Sequence, residues 1–254
     1  MNWMDMSGKC ALVTGGSRGI GRSIAVKLAQ AGADVGVTYH SNEAAARDTL
    51  SRIKGAGAEG WIERCDLADP GSIVALFQTV DHFFKNGLDI FVANAGVWPP
   101  EQVAITEMTD AQRRRTIEVN LNSVFHTTKE AGRRMRDGGR IILIGSTAGQ
   151  RGEAYHADYA ASKGALISLV KGLCVEFGSR DITVNCVAPG WVDTEMSASA
   201  LTGATRNQIE NTIPLGRVAT ADDIAGPVIF LCSELARHIT GEVLNVNGGA
   251  VLCG

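Results

Sequence analysis

Short apolar runs alternate with longer helical patterns along the whole chain of 254 residues, and no linker or shift in composition interrupts them. The runs at 10–14, 35–39, 60–64, 89–93, 140–144, 183–188 and 243–246 are rich in Val and Ile and apolar nearly throughout, the pattern of strands covered on both faces. A helical stretch between consecutive strands acts as a crossover, and crossovers make the strands parallel. Such connections are right-handed, so the expectation is one α/β domain, residues 1–254, with a doubly wound, seven-stranded parallel sheet. Its ligand belongs at the carboxyl ends of the strands, near the point where the strand order reverses. Function is therefore to be read from the loops that follow strands.

Glycine is the outlying component, with 30 residues against 6 prolines. That is about 12% where about 7% is usual. With no G-X-Y period and no Gly/Ser tract, the excess belongs inside a packed fold. The formal charge of −3, from 24 Lys+Arg and 27 Asp+Glu, excludes the basic footprint of a dedicated nucleic-acid or membrane-surface binder. Two basic patches, Arg113, Arg114 and Arg115, then Arg133, Arg134 and Arg136, read as solvated helix faces. The six cysteines (Cys10, Cys65, Cys174, Cys186, Cys232 and Cys253) form no C-x-x-C pair and have no histidine at ligand spacing, so neither a zinc site nor a disulfide framework is expected. Residues 1–8 carry no apolar signal segment, and the longest apolar stretch, around 224–232, is too short to span a bilayer. The expected setting is a reducing cytoplasm.

Helix starts are legible at Asp69 before Pro70, at the box Thr109-x-x-Gln112, and at Thr220. The first strand runs directly into Thr14-Gly15-Gly16-Ser17-Arg18-Gly19-Ile20-Gly21, and a helical pattern follows at once through Ile24, Ala25, Leu28 and Ala29. Glycines here let the backbone approach a pyrophosphate, which rests on the exposed N–H groups and positive end of the helix. An acidic residue about twenty positions on would bond the ribose 2′-hydroxyl of NAD. The second strand instead ends Val37-Thr38-Tyr39-His40-Ser41. Arg18, with Thr38, His40 or Ser41 as hydrogen-bond partners, suits a 2′-phosphate, which favours NADP(H) with NAD(H) as the alternative.

Tyr159 and Lys163, four residues apart, fall on one face of a helix lined with small residues. A tyrosine hydroxyl has an ordinary pKa of about 10, so general acid/base work near neutrality asks for about 4 kcal/mol. An ammonium about 5 Å away at an effective dielectric of about 20 supplies roughly 3 kcal/mol, so Lys163 is expected to lower the tyrosine pKa. Ser146 ends the fifth strand, where its hydroxyl can polarise a carbonyl. Asn120 lies beside Ile117, Val124 and Phe125 at helical spacing, bordering a buried face and needing hydrogen-bond partners.

In this order the motifs resemble the short-chain dehydrogenase/reductase family from Cys10 to Gly249. The turn at 14–21 matches its TGxxxGxG, Asp66 with Leu67 its adenine contact, Asn94-Ala95-Gly96 its N-A-G element, and Pro189-Gly190-Trp191-Val192-Asp193-Thr194 its P-G segment. Asn120, Ser146, Tyr159 and Lys163 match its catalytic tetrad. The resemblance implies a Rossmann-like fold and, without a metal, hydride transfer between a nicotinamide and a carbonyl or secondary alcohol. It assigns cofactor contacts to Gly15, Ser17, Arg18, Gly19, Ile20, Gly21, Thr38, His40, Ser41, Asp66, Leu67, Asn94, Ala95, Gly96, Tyr159, Lys163, Pro189, Gly190, Val192 and Thr194. Tyr159 would give the proton, Ser146 hold the substrate oxygen, Lys163 bond the ribose, and Asn120 hold a relaying water.

For the substrate, Ile213-Pro214-Leu215-Gly216-Arg217 and the ending at 241–249 resemble bacterial 3-oxoacyl-[acyl-carrier-protein] reductases. That implies a 3-oxoacyl thioester, a role in fatty acid biosynthesis, and an acyl carrier protein docked through Arg133 and Arg180. Val97-Trp98-Pro99-Pro100 departs from that group's polar stretch, and Ala93 stands where it has Asn. Trp98 and Trp191 are placed to flank an aromatic or bulky ketone, and with Ser146, Tyr159, Gln150 and Met196 make up the expected substrate contacts. Other ketones or quinone-like carbonyls, sugars or polyols, and a non-enzymatic NADP(H)-binding regulator are the alternatives. The family further implies a homotetramer built on helices at 111–135 and 155–177. Residues 194–212, within a segment of about 191–216, read as a lid.

Overall fold

The computed structural model describes residues 4–252, so Cys253 lies outside the described residues. Its strands are β1 (Cys10–Val13), β2 (Asp34–Tyr39), β3 (Gly60–Arg64), β4 (Leu88–Ala93), β5 (Met135–Ile144), β6 (Thr183–Pro189) and β7 (Val243–Val246). All pairs are parallel, in the order β3-β2-β1-β4-β5-β6-β7. The order reverses between β1 and β4, which opens a crevice at their carboxyl ends. The helices are α1 (Gly19–Gln30), α2 (Glu43–Gly55), α3 (Pro70–Phe83), α4 (Asp110–Ile117), α5 (Ser123–Arg134), α6 (Ala148–Arg151), α7 (Ala157–Gly178), α8 (Gly203–Asn211) and α9 (Ala221–Cys232).

Alternation along each strand divides the core into two layers. Ala11, Val13, Ile142 and Ile144 join Ile24 and Leu28 of α1 and Ile224 and Val228 of α9 on one face. Leu12, Ile141 and Leu143 join Phe77 of α3, Val124 of α5 and Leu166 and Val170 of α7 on the other. Each large side chain so buried contributes about 1.5–3 kcal/mol. Asp69 caps α3 through the N–H groups of Gly71 and Ser72, and Thr220 with Asp223 forms a full capping box on α9. At α4 the box is one-sided: Thr109 accepts from the Gln112 N–H, while the Gln112 side chain reaches Asp158.

Three features differ from the sequence expectation by more than a single residue. The helix expected at 111–135 is split by a π turn at Glu118–Asn122, and Met135 already belongs to β5. Arg136 and Asp137 hide this early start of β5 from an apolar-run reading. Gly138, at φ +75°, lets the strand bend while its register with β4 shifts between Leu88 and Ile90. Finally, α7 begins at Ala157, because Tyr155 takes a left-handed φ of +64°.

The basic patches are largely neutralised. Arg113 and Arg114 pair with Asp110, Arg133 and Arg134 with Glu130, and Arg136 with buried Asp89. Cys10, Cys65, Cys174, Cys186 and Cys232 are free thiols. Among the described residues no helix is long and apolar enough to cross a membrane, and no group of three or more His, Cys, Asp or Glu side chains could hold a metal ion.

Candidate active site

A cleft of about 820 Å³ lies over the carboxyl ends of the strands. One end is built from main chain. Thr14 Oγ1 accepts from the N–H groups of Asn94 (3.0 Å) and Ala95 (3.1 Å), and Asn94 Nδ2 donates to the carbonyls of Thr14 (2.9 Å) and Gly15 (3.1 Å). Gly15 donates its N–H to Thr38 Oγ1 at 3.0 Å. These bonds tie the loops after β1 and β4 to each other and to the end of β2. A Cβ on Gly15 would lie 2.9 Å from Ala95 Cα, one on Gly16 2.8 Å from Val37, and one on Gly21 would collide with the Asn94 amide and the Gly15 carbonyl.

That surface fits a phosphate-bearing dinucleotide. No side chain caps α1, whereas Asn42, Asp69 and Thr220 cap α2, α3 and α9. The uncapped pole, at Gly19, Ile20 and Gly21, lines the cleft, and such a pole attracts anions. Arg18 also lines it, exposed, its guanidinium making no hydrogen bond or ion pair to the described residues. His40 and Ser41 lie exposed along the same wall, but Thr38 is buried with its hydroxyl already accepting from Gly15, so it shapes the turn. Ser17 turns its carbonyl away to the Arg22 guanidinium. At the far end Asp66 accepts from the Ala68 N–H and sits 3.7 Å from the His40 ring beside Leu67. Gly96, Pro189, Gly190, Val192 and Thr194 line the middle.

Ser146, Tyr159 and Lys163 line the same cleft. The Lys163 ammonium donates to the Ile144 carbonyl at 2.8 Å and lies 6.0 Å from the centre of the Tyr159 ring. Burial pushes Tyr159 up to about 12, with the Ser146 hydroxyl opposing and Glu153 adding to the rise. Burial also pushes Lys163 down to about 8. The net rise at Tyr159 follows from the cost of burying the phenolate charge.

Asn120 supports the loop after β4 from beneath. It is fully buried off the cleft, where Oδ1 accepts from the Val97 N–H (2.8 Å) and Nδ2 donates to the Val97 carbonyl (2.9 Å) and to Ser162 Oγ (3.2 Å). Its amide pins that loop. Gln150 does not line the cleft either, and its Oε1 is buried without a partner.

The other end of the cleft is built from side chains. Trp98 and Trp191 meet edge to face, with ring centres 5.9 Å apart and planes at 82°. Met196 lies at the rim. Arg115, Arg151 and Glu153 line the cleft as well, and no motif in the sequence marks them. His156, stacked on Trp98, is likewise unmarked by any motif. Its place three residues before Tyr159 is the one available signal.

An uncapped helix pole beside a Tyr–Lys pair defines a dinucleotide-dependent oxidoreductase. A family model described as enoyl-(acyl carrier protein) reductase matches residues 15–251. The 3-oxoacyl-[acyl-carrier-protein] reductase FabG of Escherichia coli (strain K12) is 43% identical over 248 residues, covering 97% of this chain and 98% of that one. Versicolorin reductase stcU of Emericella nidulans is 39% identical over 258 residues, 96% of each chain. A short chain dehydrogenase from Burkholderia cenocepacia J2315, solved in complex with NADP, superposes with a TM-score of 0.91 at 37% identity, covering 96% of this chain and 98% of that one. The chain belongs to the short-chain dehydrogenase/reductase family.

Proposed function

We propose that this oxidoreductase is an NADP(H)-dependent ketoreductase whose leading substrate is a 3-oxoacyl thioester. The observation that carries the reaction class is the meeting of Ser146, Tyr159 and Lys163 in the cleft that the glycine turn opens. The turn and the α1 pole would hold the pyrophosphate, unpaired Arg18 a 2′-phosphate, and Lys163 the nicotinamide ribose. When bound, the nicotinamide supplies the hydride. Tyr159, neutral through the physiological range with a pKa of about 12, is the proton donor to the developing alkoxide. The Ser146 hydroxyl holds the substrate oxygen, and the Lys163 charge stabilises the phenolate left behind.

Similarity to FabG supports the thioester. The arginines expected to dock an acyl carrier protein are occupied, however. Arg133 pairs with Glu130 at 2.7 Å, while Arg180 binds Asp137 at 2.9 Å and the carbonyls of Gly132 and Met135. Arg115 and Arg151, which line the cleft without ion pairs to the described residues, are better placed to meet an acidic carrier. A second reading, a flat aryl ketone, is favoured by the Trp98–Trp191 contact.

The test is NADPH oxidation, repeated with NADH, on acetoacetyl thioester, an aromatic diketone and a sugar. A kcat/KM highest for the thioester supports the leading reading, and one highest for the diketone moves the assignment to the second. NADPH binding with no turnover on any of them means a non-enzymatic binder. We also take the family's homotetramer to form on the outer faces of α5 and α7, where Phe125 is 53% and Val175 78% exposed. Sedimentation velocity on Val175→Arg checks it, a tetramer in the variant counting against that face. Residues 191–216 serve as the lid, with Arg206 bridging Asp193 and Glu210 and with Leu201 and Ile213 packed with Val218 just beyond it.

A further inference from the structure

His156 has no part in the reaction just described, yet the local backbone is bent to bury it. Tyr155 takes a left-handed conformation that a bulky residue adopts only where its surroundings hold it. Here Val103 donates its N–H to the Tyr155 carbonyl (3.0 Å) and His156 donates its own to the Glu153 carbonyl (3.2 Å). The bend leaves the Tyr155 side chain 55% exposed and turns His156 inward, where it is 3% exposed.

A buried imidazole is costly unless its nitrogens are satisfied. Nδ1 lies 3.3 Å from the Ala154 carbonyl and 3.9 Å from the Glu153 carboxylate, while Nε2 is buried with no partner. What the ring does have is Trp98, stacked on it with centres 5.0 Å apart and planes at 16°. Asn120 fixes the backbone at Val97 from both sides, which leaves the orientation of the next side chain, Trp98, still to be set. The flat face of His156 sets it, and the indole so held meets Trp191 nearly at right angles across the cleft.

We infer that His156 is a positioning residue that holds Trp98 as a flat wall of the substrate chamber, and so gives the site its capacity for flat, conjugated ketones. This rests on the reading of the cleft as a ketoreductase site. A linear 3-oxoacyl thioester needs no such wall and does not depend on His156. The step is pure packing, so another flat ring serves and an aliphatic side chain does not.

The test combines spectroscopy and kinetics on the full-length protein. Paired indoles give an exciton couplet in circular dichroism, assigned by its loss in Trp98→Leu. The couplet should vanish in His156→Ala and His156→Leu and return in His156→Phe. With 1-tetralone as the flat ketone, KM should rise about fivefold to tenfold in the Ala and Leu variants with kcat held, the loss of one aromatic contact. KM for acetoacetyl-coenzyme A should stay within about twofold. A couplet that survives both aliphatic variants, or KM values that rise together for the two substrates, overturns the proposal. If His156→Ala does not fold, the nearly isosteric Leu and Phe variants decide it. Should the wild type reduce neither ketone, the ketoreductase reading fails by itself, and the couplet still reports whether His156 holds Trp98.

Discussion

The two ends of the cleft are made by different means. At the cofactor end the recognition surface is main chain: Gly15, Gly16 and Gly21 admit no Cβ without collision, and Thr14, Thr38 and Asn94 bond backbone groups of neighbouring loops. At the substrate end the surface is side chain: Trp98 follows β4, Glu153 follows β5, and Trp191 follows β6, with His156 buried behind Trp98. Where backbone does the recognising, only glycine fits, so a motif is imposed on the sequence. Where side chains do it, many residues can fill the space, and no motif results.

The largest effect is expected where the two ends meet. Tyr159→Phe removes the proton donor without touching the glycine surface, so kcat should fall by about 10³-fold or more while NADPH affinity holds. Fluorescence titration of NADPH beside single-turnover kinetics separates the two readouts, and an active Phe variant would remove Tyr159 from the chemistry. Next is Arg18→Ala, which acts on the cofactor end alone. Hydrogen bonds to charged groups contribute about 1.5–3 kcal/mol, so the Kd for NADPH should rise about 10- to 100-fold with that for NADH unchanged. Equal weakening of both would mean that Arg18 serves the shared pyrophosphate. Smaller again is Gly21→Ala. Forcing a Cβ against Asn94 and the Gly15 carbonyl costs about 1–3 kcal/mol, seen as a Tm lower by about 3–10 °C and weaker NADPH binding. An unmoved Tm would show that the turn yields where its contacts say it cannot.

The same division decides what is legible in the sequence alone. All seven strands, the caps at Asp69 and Thr220, and the glycine turn are properties of local sequence, and they stand in the fold as expected. The early start of β5 is hidden because Arg136 and Asp137 are polar and hold their place in the sheet region through Asp89 and Arg180, partners remote in sequence. Asn120 is legible as a buried amide needing partners, but that Val97 supplies them depends on a loop path that no spacing encodes. Trp98 and Trp191 both stand out as loop aromatics, whereas the imidazole beneath Trp98 does not, since a stacking partner leaves no periodic trace. The upward shift of Tyr159 and the downward shift of Lys163 both follow from burial, which no spacing between two residues encodes.

The same burial leads to the smallest effect, one confined to high pH. Lys163 and Tyr159 lie on one face of α7, and burial moves both against their charged forms, from 10.5 down to about 8 and from 10.0 up to about 12. Between pH about 8 and 10.5 the unfolded chain keeps a lysine proton that the folded chain has released, so stability should rise with pH there. Above pH about 10 the folded chain keeps the tyrosine proton that the unfolded chain loses, so stability should fall toward pH 12. The pair's contribution thus peaks near pH 10 in the cofactor-free protein. Urea midpoints measured across pH 7–11 for the wild type, Lys163→Met and Tyr159→Phe isolate each limb as a difference between curves, in which all other groups cancel. Lys163→Met should lose the rising limb alone and Tyr159→Phe the falling limb alone. Parallel curves for all three would mean that water reaches both groups and that folding shifts neither pKa.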